Sequence, residues 1–185
     1  GIAKGSGMIK PDMATMLGYV ATDAKVAPAV WKAIAARATD VSFNRITVDG
    51  DTSTNDALVL MATGAAGMPV IDSPQHPLYA HLAAAVEAVC IGLAQDIIRD
   101  GEGATKFITV RVSGGYSERD CVRVAYAVAE SPLVKTAMFA SDANWGRILA
   151  AVGRAGAEQL AIEEVNLAIG GLPIVIGGEP APNYT

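Results

Sequence analysis

The residues that could do chemistry begin with a hydroxyl at the mouth of an apolar run, in Lys4-Gly5-Ser6-Gly7-Met8-Ile9-Lys10-Pro11-Asp12-Met13-Ala14-Thr15-Met16-Leu17. Gly and Pro shape the approach, Thr15 closes it, and Leu17, Tyr19 and Val20 carry on the apolar run. Such a hydroxyl is either a positioned nucleophile or a β-branched residue opening a strand, and the pattern alone favours the strand. Lys4 on its own reads as a solvated loop cation. A second polar concentration covers residues 49–56, Asp49-Gly50-Asp51-Thr52-Ser53-Thr54-Asn55-Asp56. Carboxylates beside hydroxyls suit a hard cation, but they equally suit a turn that hydrogen-bonds its own backbone. The spacing does not match an EF-hand loop, so the turn is favoured and no metal ligand is assigned. Glu102 stands between Gly101 and Gly103, and on its own is a solvated loop carboxylate. Asp142, Asn144, Trp145 and Arg147 form either a binding corner or a helix cap, a buried aromatic and a salt bridge.

The elements that must position these groups follow from periodicity. Residues 15–21 read as a strand apolar on both faces, hence buried. Pro28 suits a first helical position, since it has no N–H to leave unpaired, and a helix to about residue 39 presents Val30, Ile34 and Ala38 on one face. Residues 46–48 and 57–62 read as strands flanking the polar cluster. Residues 78–99 form the longest helix, with Leu82, Val86, Val89, Leu93 and Ile97 at helical spacing, and Gly101 suits a left-handed cap at its end. Residues 107–112 alternate as a strand. Ser117 is a plausible N-cap for the next helix, and Ser131-Pro132 restarts the chain after it. Gly170-Gly171 between apolar runs is a hairpin turn, with Pro173 arguing for an edge strand.

Bulk properties narrow the classes. The 185 residues fit one large domain or two small ones, and half are hydrophobic with few aromatics, so an α/β core of small side chains is expected. A net charge of −5 gives no basic footprint for nucleic acid. No apolar run reaches the length of a membrane span, so no membrane partner is expected. His76 and His81 lack metal spacing and read as surface residues. Cys90 and Cys121 read as reduced core thiols of a cytoplasmic protein. Both ends look cut, as though the chain were part of a longer protein.

The run from Lys4 to Leu17 resembles the self-cleavage region of the ornithine acetyltransferase family, the bifunctional glutamate N-acetyltransferases of arginine biosynthesis. The polar stretch 49–56, the run Asp100-Gly101-Glu102-Gly103-Ala104-Thr105-Lys106 and the Asp-x-Asn-Trp-Gly-Arg run at 142–147 are similar to that family's segments as well; the resemblance implies that 49–56 is a wall of the site, without an assigned role, and that 142–147 has a structural or near-site role outside the catalytic set. The resemblance spans essentially the whole chain and is strongest at residues 3–20, 45–64, 100–106 and 131–150.

The resemblance implies a layered α/β (α+β) fold of N-terminal-nucleophile type with a second, smaller α/β unit. Residues 1–14 would end an α chain, 15–106 would be the β-chain part of the nucleophile domain, and 107–185 a truncated C-terminal domain. It implies self-cleavage at the Ala14–Thr15 bond, with Thr15 as nucleophile and Lys4, Thr15 and Glu102 binding substrate. A Thr hydroxyl needs a base, and no His lies near Thr15 in the sequence. The α-amine freed by cutting titrates near ~8 and can take the proton itself. Acetyl would then pass from N-acetylornithine to Thr15 and on to glutamate, with acetyl-CoA a donor in some members and no other cofactor. The oxyanion hole, a Thr-Gly pair, would belong to the α chain outside this sequence. An α2β2 assembly is implied, and this piece alone is expected to be inactive. Two other classes stay open: an aminopeptidase or amidohydrolase using the same nucleophile, and an uncut unit serving only assembly.

Overall fold

The computed structural model describes residues 1–10, 16–52, 55–182 and 184, and divides into two compact units, Gly1–Phe107 and Ile108–Thr185. It is an α+β fold. The first unit contains β1 (Ile2–Lys4), β2 (Leu17–Thr22), α1 (Pro28–Val41), a 3-10 turn (Phe43–Arg45), β3 (Ala57–Ala62) and α2 (Tyr79–Arg99). Its sheet has the order β1-β2-β3. The β1 strand runs antiparallel to β2, with Lys4 opposite Leu17, whereas β3 runs parallel to β2 with Leu17 opposite Ala57.

Alternation decides which face of this sheet is covered. Gly18 and Val20 are buried, while Tyr19 and Ala21 point out. A side chain at position 18 would put its Cβ 2.8 Å from Leu58 Cδ1, so glycine lets the layers close up. The other face is open: Ile2, Tyr19 and Val59 stand in register across the three strands, and all are exposed. The expectation of a strand buried on both faces is therefore corrected to one covered face.

Helices α1 and α2 cover the inner face. Val30, Ile34 and Ala38 of α1 meet Val86, Cys90, Ala94 and Ile97 of α2 in one core with Ile9, Val20 and Phe43. Val89, read as a core position, is exposed, because the buried row runs through Cys90 and Ala94 one residue further on. Trp31 Nε1 donates to Leu60 O at 3.1 Å and ties α1 to β3. Arg37 pairs with Glu87 across the two helices at 2.6 Å. By length and composition α2 is apolar enough to cross a bilayer, contrary to the sequence expectation; here its buried row forms the core of this unit.

Residues 46–48 and 107–112 form no strands. Ile46 and Val48 pack against the core, and Val48 N donates to Ile9 O at 2.7 Å, but no ladder extends from there. Phe107 lies under the Arg99 guanidinium, 4.4 Å from its carbon. An alternating pattern supplies a face to bury, while a strand also needs a neighbouring edge.

The second unit holds α3 (Glu118–Ala129), α4 (Pro132–Phe139), α5 (Trp145–Gly153), a 3-10 turn (Ile162–Glu164), β4 (Leu167–Ile169), β5 (Leu172–Ile176) and β6 (Glu179–Pro180). Ser117, Ser131 and Asn144 cap the three helices through side-chain oxygens that accept backbone N–H groups. Gly170 and Gly171 take φ of 59° and 84° in the β4–β5 turn, both in the left-handed region a primed turn requires. Pro173 lies in β5, the central strand of the order β4-β5-β6 and not an edge. It is tolerated because β6 pairs only with Val175 and Ile176, leaving no ladder partner beside Pro173 on that side. Val124, Val128, Ile148 and Ile174 form the centre of this unit.

Candidate active site

Lys4 ends β1, and the segment after it turns back through Gly5, Ser6 and Gly7 towards the C-terminal end of α2. The two meet around an open cavity of about 890 Å³. Lys4 and Glu102 both line it, so the structure brings together two of the three residues singled out for substrate. The third, Thr15, lies outside the described residues, as does the Ala14–Thr15 bond.

Asp49, Asp96 and Asp100 also line the cavity. Asp49 belongs to the stretch 49–56 that the resemblance makes a wall of the site, whereas Asp96 and Asp100 were not singled out in the sequence. Asp96 is paired with Arg99 at 3.0 Å. Among the described residues that line the cavity, four carboxylates, counting Glu102 and the paired Asp96, face the ammonium of Lys4. Such a wall favours a ligand that carries positive charge along with a group for Lys4 to hold.

Glu102 is set by its backbone. Its N–H donates to Ser6 O at 3.3 Å, joining the loop after α2 to the segment after β1. Gly101 is buried, and a Cβ there would lie 3.2 Å from Ile98 O and 3.5 Å from Val48. The left-handed residue of this loop is Gly103, with φ of 67°, and not Gly101 as the capping pattern suggested. Gly101 serves close packing; Gly103 serves the turn. A Cβ on Gly7 would stand 3.8 Å from Glu102 Oε1 and 3.9 Å from Asp49 Oδ2, which places the two carboxylates around one glycine.

The polar stretch 49–56 does more than close its own turn. Asp51 N donates to Asp49 Oδ1 at 3.1 Å and Gly50 N to Thr47 Oγ1 at 3.2 Å, the local bonds expected of a turn. Asp49 also accepts from Met8 N at 2.7 Å and from Ile9 N at 3.1 Å. At the other end Asp56 Oδ1 accepts from Met16 N at 2.6 Å. Burial pushes the Asp56 carboxyl above its ordinary range, and the Met16 amide only partly offsets that. The two aspartates thus hold the segment at Met8–Ile9 and at Met16.

The other singled-out residues make local contacts within their own units. Asn144 caps α5, accepting from Arg147 N at 3.1 Å and donating to Asp142 Oδ2 at 2.9 Å. Arg147 donates to Leu133 O and Thr136 Oγ1, both at 3.0 Å, so this run builds the α4–α5 corner. His76 Nδ1 accepts from Leu78 N at 3.2 Å, ahead of α2, and His81 is exposed. Cys90 is buried, which pushes its thiol up and leaves it protonated.

The model of the ArgJ family matches residues 1–185. The chain belongs to the ArgJ family. It is 61% identical over 185 residues to the arginine biosynthesis bifunctional protein ArgJ of Psychrobacter arcticus, and 55% identical to that of Pseudomonas fluorescens. Each match takes in 100% of this chain and 46% of the relative, so the chain spans about half the length of the curated relatives it matches. The crystal structure of arginine biosynthesis bifunctional protein ArgJ from Bacillus halodurans superposes with a TM-score of 0.87 at 43% identity, over 91% of this chain and 78% of that one.

Proposed function

We propose that the protein carrying this chain is an acetyltransferase of arginine biosynthesis, moving acetyl from N-acetylornithine to glutamate through an acetyl-Thr15 intermediate. The observation that carries this reading is the family match over residues 1–185, joined to the shared cavity of Lys4 and Glu102. Self-cleavage between Ala14 and Thr15 frees the Thr15 α-amine. In the first half-reaction Thr15 Oγ bonds to the acetyl carbon, the hydroxyl proton passes to the α-amine, and the amide C–N bond breaks. The proton then leaves with the ornithine amine. In the second half-reaction the glutamate amine attacks the ester and Thr15 regains its hydroxyl. Glu102 pairs with a substrate ammonium, and Lys4 with a substrate carboxylate. Acetyl-CoA serves as a further acetyl donor, no resident cofactor takes part, and the enzyme works in the cytoplasm as an α2β2 assembly.

The test uses the full-length protein. Intact mass should show a new N-terminus at Thr15, and incubation with N-acetylornithine and glutamate should yield N-acetylglutamate. Thr15→Ala should stay in one piece and transfer nothing. Release of free acetate with no transfer to glutamate would assign the site to an amidohydrolase instead.

A further inference from the structure

Met16 is the residue after Thr15 in the sequence, and it is held on three sides. Its N–H donates to Asp56 Oδ1 at 2.6 Å. Its carbonyl accepts from Ala57 N at 3.0 Å. Its side chain is buried in the core of the first unit. Two successive residues, Asp56 and Ala57, therefore grip both polar groups of Met16. The contact is long-range: 40 positions of sequence separate the carboxylate from the amide.

A strand can open without a carboxylate, since its first amide is satisfied by water or by any neighbouring carbonyl. Here a charged group is held in a partly desolvated place that disfavours its charge. Groups kept against such a penalty are found where a position has to be enforced.

We propose that Asp56 is a positioning residue for the Ala14–Thr15 bond and for the Thr15 hydroxyl, acting through the Met16 amide. The proposal rests on the reading of Thr15 as nucleophile. In self-cleavage Thr15 Oγ adds to the Ala14 carbonyl carbon, the Ala14–Thr15 C–N bond breaks, and the hydroxyl proton passes to the Thr15 nitrogen. Water then hydrolyses the resulting ester and leaves the free amine. Both this step and acetyl transfer start from the same Oγ, and each requires the backbone on its C-terminal side to stay in place. Fixing Met16 removes that freedom beforehand, which is how orientation lowers a barrier. At the far end Asp49 holds Met8 and Ile9, so one loop anchors both ends of the stretch containing the bond.

The experiment compares the full-length parent with Asp56→Ala, Asp56→Asn, Asp56→Glu and Thr15→Ala. Cutting is followed by intact mass and acetylation of Thr15 by single-turnover mass spectrometry, alongside KM for N-acetylornithine and a thermal melt. Asp56→Ala should slow both cutting and acetylation by about tenfold or more with KM nearly unchanged. Asp56→Asn keeps an acceptor oxygen and should recover most of both rates. A merely structural role would make the rates follow the melting temperature across all the variants. If Asp56→Ala does not fold, Asp56→Glu carries the test: it keeps the carboxylate, moves it by one methylene and should be slow. Rates in either variant within about twofold of the parent would overturn the proposal, as would equal slowing in Ala and Asn variants of equal stability. An inert, uncut Thr15→Ala beside a normal Asp56→Ala would sink this inference alone. An active Thr15→Ala would sink the reading of Thr15 itself.

Discussion

Asp49 Oδ2 lies 2.7 Å from the amide nitrogen of Met8, a non-glycine residue whose φ of 52° is in the left-handed region. An L side chain there costs about 1–2 kcal/mol, so something must hold the turn. The same carboxylate also accepts from Ile9 N, and Ile9 is fully buried. Asp49→Ala should therefore lower stability by about 1–2 kcal/mol in urea unfolding, the scale of hydrogen bonds to a charged group in a half-exposed place. Met8→Gly should be neutral or stabilising, because glycine meets the same φ without the steric cost. A loss of less than about 0.5 kcal/mol in Asp49→Ala would mean that the turn is held by other contacts.

Glu102 is exposed and gives its charge to the cavity without a buried setting. Glu102→Gln keeps the size and removes the charge. The expected loss in apparent substrate affinity is about 1.5 kcal/mol, the lower end for a charge-assisted hydrogen bond, because solvent screens the pair. Thermal stability should not change. Unaltered kinetics for both acetyl donor and acceptor would return Glu102 to the role of a solvated loop residue.

The Asp56 carboxyl titrates above its ordinary value of 3.8 because burial disfavours the charge. A carboxyl with a raised folded pKa keeps its proton in the folded state at a pH where the unfolded chain has released it. Its contribution to stability therefore falls as pH rises through the window between the ordinary and the raised value. The penalty is fully present above that window. Asp56→Asn removes this dependence. Urea unfolding between about pH 4 and 7 should show the Asn variant gaining on the parent as pH rises. A difference that does not change with pH would mean that the carboxyl is not desolvated in the folded protein.

Local chemistry made much of the fold legible. Pro28 opens α1, Ser117 caps α3, and Gly170-Gly171 turns the hairpin, each through a property of the residue itself. The strands read at 46–48 and 107–112 did not form, since alternation says nothing about whether an edge is available to pair with. For the loop after α2, sequence pointed to Gly101 as the left-handed residue, but packing against Val48 decided its role and the positive φ fell to Gly103. In the site, Lys4 and Glu102 were visible as members of a family pattern, and the cavity unites them. The reach of Asp49 and Asp56 was not visible. Asp and Asn in a polar run always have a local turn to make, and the competing partners here lie 40 or more residues away.

The parallel pairing of β2 with β3 sets Leu17 opposite Ala57, and Met16 and Asp56 immediately precede that pair. A slip of one residue would offer Met16 either Asn55 or Ala57 in place of the carboxylate, and would turn each strand's side chains to the other face. The sheet thus works as a ruler whose zero mark lies one residue beyond Thr15. A chain that has zipped these strands in the wrong register leaves the Asp56 carboxylate away from the Met16 amide, so that contact reports on correct pairing of the sheet.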